Sequence, residues 1–145
     1  MNKCCDITFN LHKVVFLLDK RADRELQDKL GITFSQFKIV TAIDHKDVSQ
    51  KDIASYWDMT EAAVSRQIEL LLEKHIVAKE ENKDNRREHK LTLTQSGKKL
   101  LDQGQEVIER GLEDIYNTLT KEERDTVNGV LQKLLSVLCS KNTCC

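Results

Sequence analysis

Residues 60–97, TEAAVSRQIELLLEKHIVAKEENKDNRREHKLTLTQSG, constrain the fold more than any other stretch. Thr60 is a good N-cap, and the apolar side chains Ala63, Val64, Ile68, Leu71 and Leu72 recur in steps of three and four, so a one-sided helix is predicted through about His75. Ile76-Val77-Ala78 and Leu91-Thr92-Leu93 are short β-type runs that bracket a basic turn, which reads as a hairpin. Thr94 then caps a further helix. The order is that of a reading helix followed by a β-wing. It places Ser65, Arg66, Arg86 and Arg87 where two parts of a DNA duplex could be touched together.

The flanking segments are helical. Residues 7–30 carry Ile7, Leu11, Val14, Val15, Leu18, Ala22, Leu26 and Leu30 at helical spacing, with Gly31 as a plausible C′ residue. A shorter helix near 34–44 should bury Phe37, Val40 and Ile43. Ser49 with Asp52 three residues on resembles a capping box, opening a helix that buries Ile53, Ala54 and Trp57. Two short helices separated by Asp58-Met59 make a helix-turn-helix candidate. After Thr94, the stripe Leu101, Val107, Ile108, Leu112, Ile115 and Leu119 continues. Thr120 and Glu123 form a second capping box, before a last helix with Val127, Val130, Leu131, Leu134 and Leu138 on one face.

The predicted fold is therefore mainly α: a winged helix-turn-helix with N- and C-terminal dimerisation helices, six helices plus a β-hairpin wing. Residues 1–33 and 94–145 form the helical dimerisation region and residues 34–93 the winged DNA-binding region. The long end helices are too apolar on one face to stand alone, and a second copy is the economical cover. Gly97, Gly104 and Gly111 recur every seven residues and share a face. Two readings stay open for them: a surface stripe of tolerated defects, or close approach of a partner helix or a ligand cavity against that face.

Bulk properties set limits. The 145 residues carry a formal net charge of −1, so a uniformly basic nucleic-acid binder is excluded. Charge is distributed unevenly, however. Residues 82–90 hold Lys83, Arg86, Arg87 and Lys90 against Asp84 and Glu88, a local positive excess. The longest apolar run, Val14 to Leu18, is far too short to cross a bilayer. No targeting segment is evident, which favours the cytoplasm. There is no Gly-rich phosphate loop and no paired-carboxylate constellation, so neither a cofactor nor an enzymatic reaction is implied.

The pieces GITFSQFKIV, SQKDIASYW, TEAAVSRQIELLLEKHIV and NKDNRREHKLTLTQSG, with the two C-terminal helices, together resemble the MarR family of transcriptional regulators over nearly the whole chain. The resemblance implies an obligate, roughly triangular homodimer. Its end helices interlock, and its two winged lobes bind a pseudo-palindromic operator on double-stranded DNA. Such proteins usually repress genes until a small molecule, a metal ion or an oxidant alters the spacing of the lobes.

Carried over to this chain, the resemblance makes the helix from Thr60 the recognition helix, with Thr60, Ala62, Ser65, Arg66 and Gln67 on the half that enters the major groove. Arg66 can grip guanine O6 and N7, Gln67 can reach adenine or phosphate, and Ser65 can reach either base or backbone. Ala62 and Ala63 let the helix sit deep. Ser49, Gln50 and Lys51 are expected at phosphates, and Gln36 completes the expected DNA-facing set. In the wing the family usually carries Asp-Arg-Arg or Asp-Lys-Arg, where this chain has Asn85-Arg86-Arg87. Arg87 takes the minor-groove role. Asn85 can accept a hydrogen bond but offers no ion pair, and Asp84 is a nearby substitute.

Two control inputs are open. Cys4, Cys5, Cys139, Cys144 and Cys145 all lie near the chain ends, unlike a secreted disulfide scaffold. They are candidates for a thiophilic metal or an oxidant. Peroxide sensors of the family hold their reactive cysteine in the first helix, and residues 7–30 have none. Alternatively, Phe9, His12, Phe16 and Trp57 line a pocket for an aromatic carboxylate or similar effector, although core packing explains the same residues. The rival functions are a DNA-free protein interaction module and, more remotely, a Cys-His thiol enzyme.

Overall fold

The computed structural model describes residues 3–45, 49–81 and 89–141, with side chains described over 6–45, 49–80 and 90–139. Among the described residues the elements are α1 (Lys3–Leu30), α2 (Phe34–Asp44), α3 (Gln50–Tyr56), α4 (Glu61–Glu73), β1 (Val77–Glu81), β2 (His89–Leu93), α5 (Gln95–Tyr116) and α6 (Lys121–Lys141). The mainly α fold with a hairpin wing is thus as the periodicity predicted. The strands pair antiparallel, Val77 opposite Leu93 and Glu81 opposite His89. They run further than the apolar residues alone suggested, because ladder bonds link backbone groups whatever the side chain.

Local capping chemistry sets most boundaries. Thr60 Oγ1 accepts from Ala63 N at 3.1 Å, and Thr94 Oγ1 accepts from Gly97 N at 3.0 Å. Ser49 and Asp52 form the reciprocal box expected of them, as do Thr120 and Glu123. Gly31 leaves α1 with φ +66°. The end of α4 is a Schellman motif without glycine: Ile76 N donates to Leu71 O and His75 N to Leu72 O, both at 2.9 Å, with His75 at φ 54°. Asp58, also left-handed at φ 50°, makes the tight turn between α3 and α4.

The core gathers around α2, whose Phe37, Ile39, Val40, Ala42 and Ile43 are all buried. Against them pack Leu26 of α1, Ile53 and Ala54 of α3, Val64, Ile68 and Leu71 of α4, Leu91 of β2 and Leu101 of α5. α4 is thereby held by one apolar face, and its opposite face stays in solvent.

The glycine stripe is a packing device. All three glycines are buried. A Cβ on Gly97 would stand 2.2 Å from the Ile76 carbonyl oxygen, one on Gly104 2.2 Å from Phe37 Cε2, and one on Gly111 2.7 Å from Glu25 Cγ. The stripe is thus not a surface one: helices α2 and α1 of the same chain approach Gly104 and Gly111, and the Ile76 carbonyl between α4 and β1, not a helix, approaches Gly97.

Burial of the end helices differs from the expectation. In α1 only Ala22 and Leu26 of the predicted stripe are buried, with Leu18 and Leu30 half-buried; Ile7, Leu11, Val14 and Val15 are exposed. In α6 Val127, Val130, Leu131, Leu134 and Leu138 are all exposed. In α5 Ile115 is exposed while Leu101 and Leu112 are buried. Among the described residues no element of the single chain covers these faces.

Candidate nucleic-acid interface

α4 is positioned from beneath by Val64, Ile68 and Leu71 and oriented at its start by the Thr60 cap. Its outward side carries Ala62, Arg66 and Leu70, exposed, with Ala63, Ser65 and Gln67 half-buried beside them. Among the described residues Arg66 makes no ion pair with Glu69 or Glu73, so its guanidinium is not committed within the protein. A depression of about 430 Å³ is lined by Ala62, Ala63, Arg66, Gln67 and Leu70. The Gln67 amide oxygen is enclosed and has no hydrogen-bond partner. Leu70 was not singled out from the sequence. The available signal was an apolar residue four positions after Arg66 on an otherwise polar face.

At the start of α3, Lys51 is exposed and Gln50 half-buried. Ser49 is also exposed, but its hydroxyl and its backbone N–H both donate to Asp52 Oδ2, at 2.6 and 2.9 Å. These bonds hold the Asp52 carboxyl below its ordinary value of 3.8. A phosphate at this helix start would meet Gln50 and Lys51, with the Ser49 donors already engaged.

Gln36 is a correction. Its side chain is only 5% exposed, and its Oε1 accepts from Thr33 N at 3.1 Å, closing a capping box for α2. Turned into the cap, it has no face to offer DNA. Arg86 and Arg87, with Asp84 and Asn85, lie outside the described residues, between the two strands.

The proposed effector residues separate in the single chain. Phe9, His12 and Phe16 are exposed on the first half of α1. Trp57 is half-buried at the end of α3, edge-on to Tyr56 with ring centroids 4.9 Å apart. The Lys38 ammonium stands 5.1 Å from the Trp57 ring and 4.6 Å from that of Phe34, and donates to Asp19 Oδ2 at 3.3 Å. Sequence reading missed this Lys38 cluster, since only α1–α2 packing brings Asp19 to it. Trp57 Nε1 is enclosed and has no partner.

Cys139 is disulfide-bonded. The side chains of Cys4, Cys5, Cys144 and Cys145 lie outside those described. Among the described residues no group of three His, Cys, Asp or Glu side chains could hold a metal.

A capped helix pair, a left-handed turn and a hairpin feeding a long helix define a winged helix-turn-helix protein. Comparison with known proteins agrees with that class and narrows it. The MarR family model matches residues 30–88, which include α2, α3 and α4. It is 26% identical over 105 residues to the HTH-type transcriptional regulator YdgJ of Bacillus subtilis, a match covering 72% of this chain and 64% of that relative's length. The fold is shared with wild-type MarR from E. coli in its apo form, with a TM-score of 0.79, 22% identity and coverage of 88% of this chain and 95% of the other. It is also shared with S. aureus MepR in a DNA complex (0.74, 22%, 90% and 96%) and with CouR from Rhodococcus jostii bound to p-coumaroyl-CoA (0.77, 17%, 91% and 91%).

Proposed function

We propose that this chain is a sequence-specific double-stranded DNA-binding transcriptional regulator that works as a homodimer on a pseudo-palindromic operator. The observation that carries the reading is α4, whose outward side is free, small at Ala62 and Ala63, and armed with an uncommitted Arg66. In this reading residues 34–93 bind DNA, and residues 1–33 and 94–145 supply the dimer contact through the exposed faces of α1 and α6. Arg66 reads guanine, and Gln67 and Ser65 read neighbouring bases. Arg87 enters the minor groove, and Gln50 and Lys51 meet phosphate. The MepR–DNA complex supports DNA as the partner.

Repression relieved by an effector is the regulatory half of the proposal, supported by the ligand-bound CouR structure. Trp57, with its unpartnered indole N–H, is the strongest candidate wall residue in this chain, and Phe9, His12 and Phe16 would join it only through dimer packing. Oxidation is a second input, favoured by the disulfide at Cys139. No helix among the described residues is long and apolar enough to cross a membrane. The reading is of a cytoplasmic regulator and not of an enzyme.

The test is selection of duplexes from a random library at fixed salt, with wild-type, Arg66→Ala and Arg87→Ala proteins. An enriched palindrome with half-sites about 10 base pairs apart is expected. Arg66→Ala should cost about 1–3 kcal/mol and relax one position. Arg87→Ala should weaken binding and reduce its salt dependence. Enrichment of no duplex by wild-type protein, with or without reductant, sinks the reading and favours a protein-interaction module.

A further inference from the structure

The depression on α4 has a chemistry that sequence position alone does not assign. Ala62, Arg66 and Leu70 follow one another at four-residue steps, as do Ala63 and Gln67, so two adjacent rows border it. Three of its five lining side chains are apolar, Ala62, Ala63 and Leu70, the last 37% exposed, and the other two are Arg66 and Gln67. Its apolar side chains give a phosphate or sugar oxygen no hydrogen bond and favour contact with an apolar group. In the major groove one base presents such a group, thymine through its C5-methyl. Beside it Arg66 offers a fork for guanine O6 and N7.

We propose that the depression between Arg66 and Gln67 is a thymine-methyl site, which in each half-operator seats the C5-methyl of one thymine beside the guanine held by Arg66. The inference rests on the DNA-binding reading above and adds to it a base and a position. Leu70 is then a specificity-determining residue: it closes the depression and adds apolar contact without adding charge.

The experiment uses the full-length protein and a duplex selected by it from a random library, with each thymine replaced in turn by deoxyuridine, symmetrically in both half-sites. Deoxyuridine keeps every hydrogen-bonding group and deletes only the methyl. At one position the wild-type protein should bind about fourfold more weakly per half-site, the value of one buried methyl-sized group. Leu70→Ala should bind the thymine duplex more weakly and lose most of that discrimination, with the same salt dependence as wild-type protein. Circular dichroism and urea unfolding of Leu70→Ala verify that its fold is unchanged. Two results overturn the site: no thymine at which methyl removal matters, or a sensitive thymine whose effect is equally large in Leu70→Ala. If wild-type protein binds no duplex at all, the DNA-binding reading itself fails, a different and distinguishable outcome.

Discussion

A Cβ on Gly97 would press on the Ile76 carbonyl, which already accepts hydrogen bonds from Thr94 N and Thr94 Oγ1 at 3.1 Å. That backbone has nowhere to go. On Gly104 the Cβ would meet the Phe37 ring, which can shift only by disturbing a packed core. Alanine gains about 1 kcal/mol of helix propensity over glycine, whereas overpacking costs about 1–3 kcal/mol. Gly129, on the side of α6 away from its apolar stripe, has nothing within 4 Å of an added Cβ. Urea unfolding is therefore expected to order the variants as Gly129→Ala above wild type, then Gly104→Ala, then Gly97→Ala. Asp52 makes a prediction in pH. Its carboxyl is held below its ordinary value by the Ser49 hydroxyl and amide, so the stability it adds is present above that value and disappears as pH falls through the lowered one. Asp52→Ala should be less stable than wild type at neutral pH, with the gap closing below about pH 3.8. A gap that does not narrow at all as pH falls from neutral through and below 3.8 would remove the carboxylate from the explanation.

At the scale of elements, α1 is two helices in one. Its second half is tied down: Arg21 Nε donates to Gly111 O at 2.7 Å, its guanidinium pairs with Asp114 at 2.9 Å, and Leu26 enters the core. The ion pair is 41% and 64% exposed on its two sides, which makes it worth little; the bond to the Gly111 carbonyl is worth about 0.5–1.5 kcal/mol. Arg21→Ala should accordingly cost about 1 kcal/mol in urea unfolding, with most of the loss surviving high salt. Loss confined to low salt would put the energy in the ion pair instead. Neither contact was legible in the sequence, because Arg21 and Asp114 are 93 residues apart. The caps were legible, since Thr60, Ser49, Thr94 and Thr120 each bond a group three residues away. Gln36 obeyed the same rule in Thr33-Phe-Ser-Gln36, and its placement at DNA overlooked a signal that was present.

For the molecule as a whole, the unanswered apolar area is the first half of α1 and one face of α6. Leu131 and Leu134 are two of its members on α6, and both are exposed in the single chain. If a second copy covers them, Leu134→Glu buries a carboxylate without a partner and should yield a monomer by light scattering, with DNA affinity lost alongside. The wild-type melting temperature should rise with protein concentration. A monomeric wild-type protein that still binds a palindrome would refute the dimer while leaving α4 in its role.

The sequence by itself determined the order and nature of the elements, their capped starts and the identity of the outward side of α4. These depend on interactions within one or two turns, which periodicity and cap residues encode directly. Only the tertiary structure decided that Gly97, Gly104 and Gly111 admit the Ile76 carbonyl, Phe37 and Glu25, that Leu70 and Gln67 border one depression, and that half of α1 and the whole stripe of α6 remain uncovered. Those facts depend on which surfaces meet across dozens of residues of chain. Periodicity marks a face as apolar but does not name what lies against it.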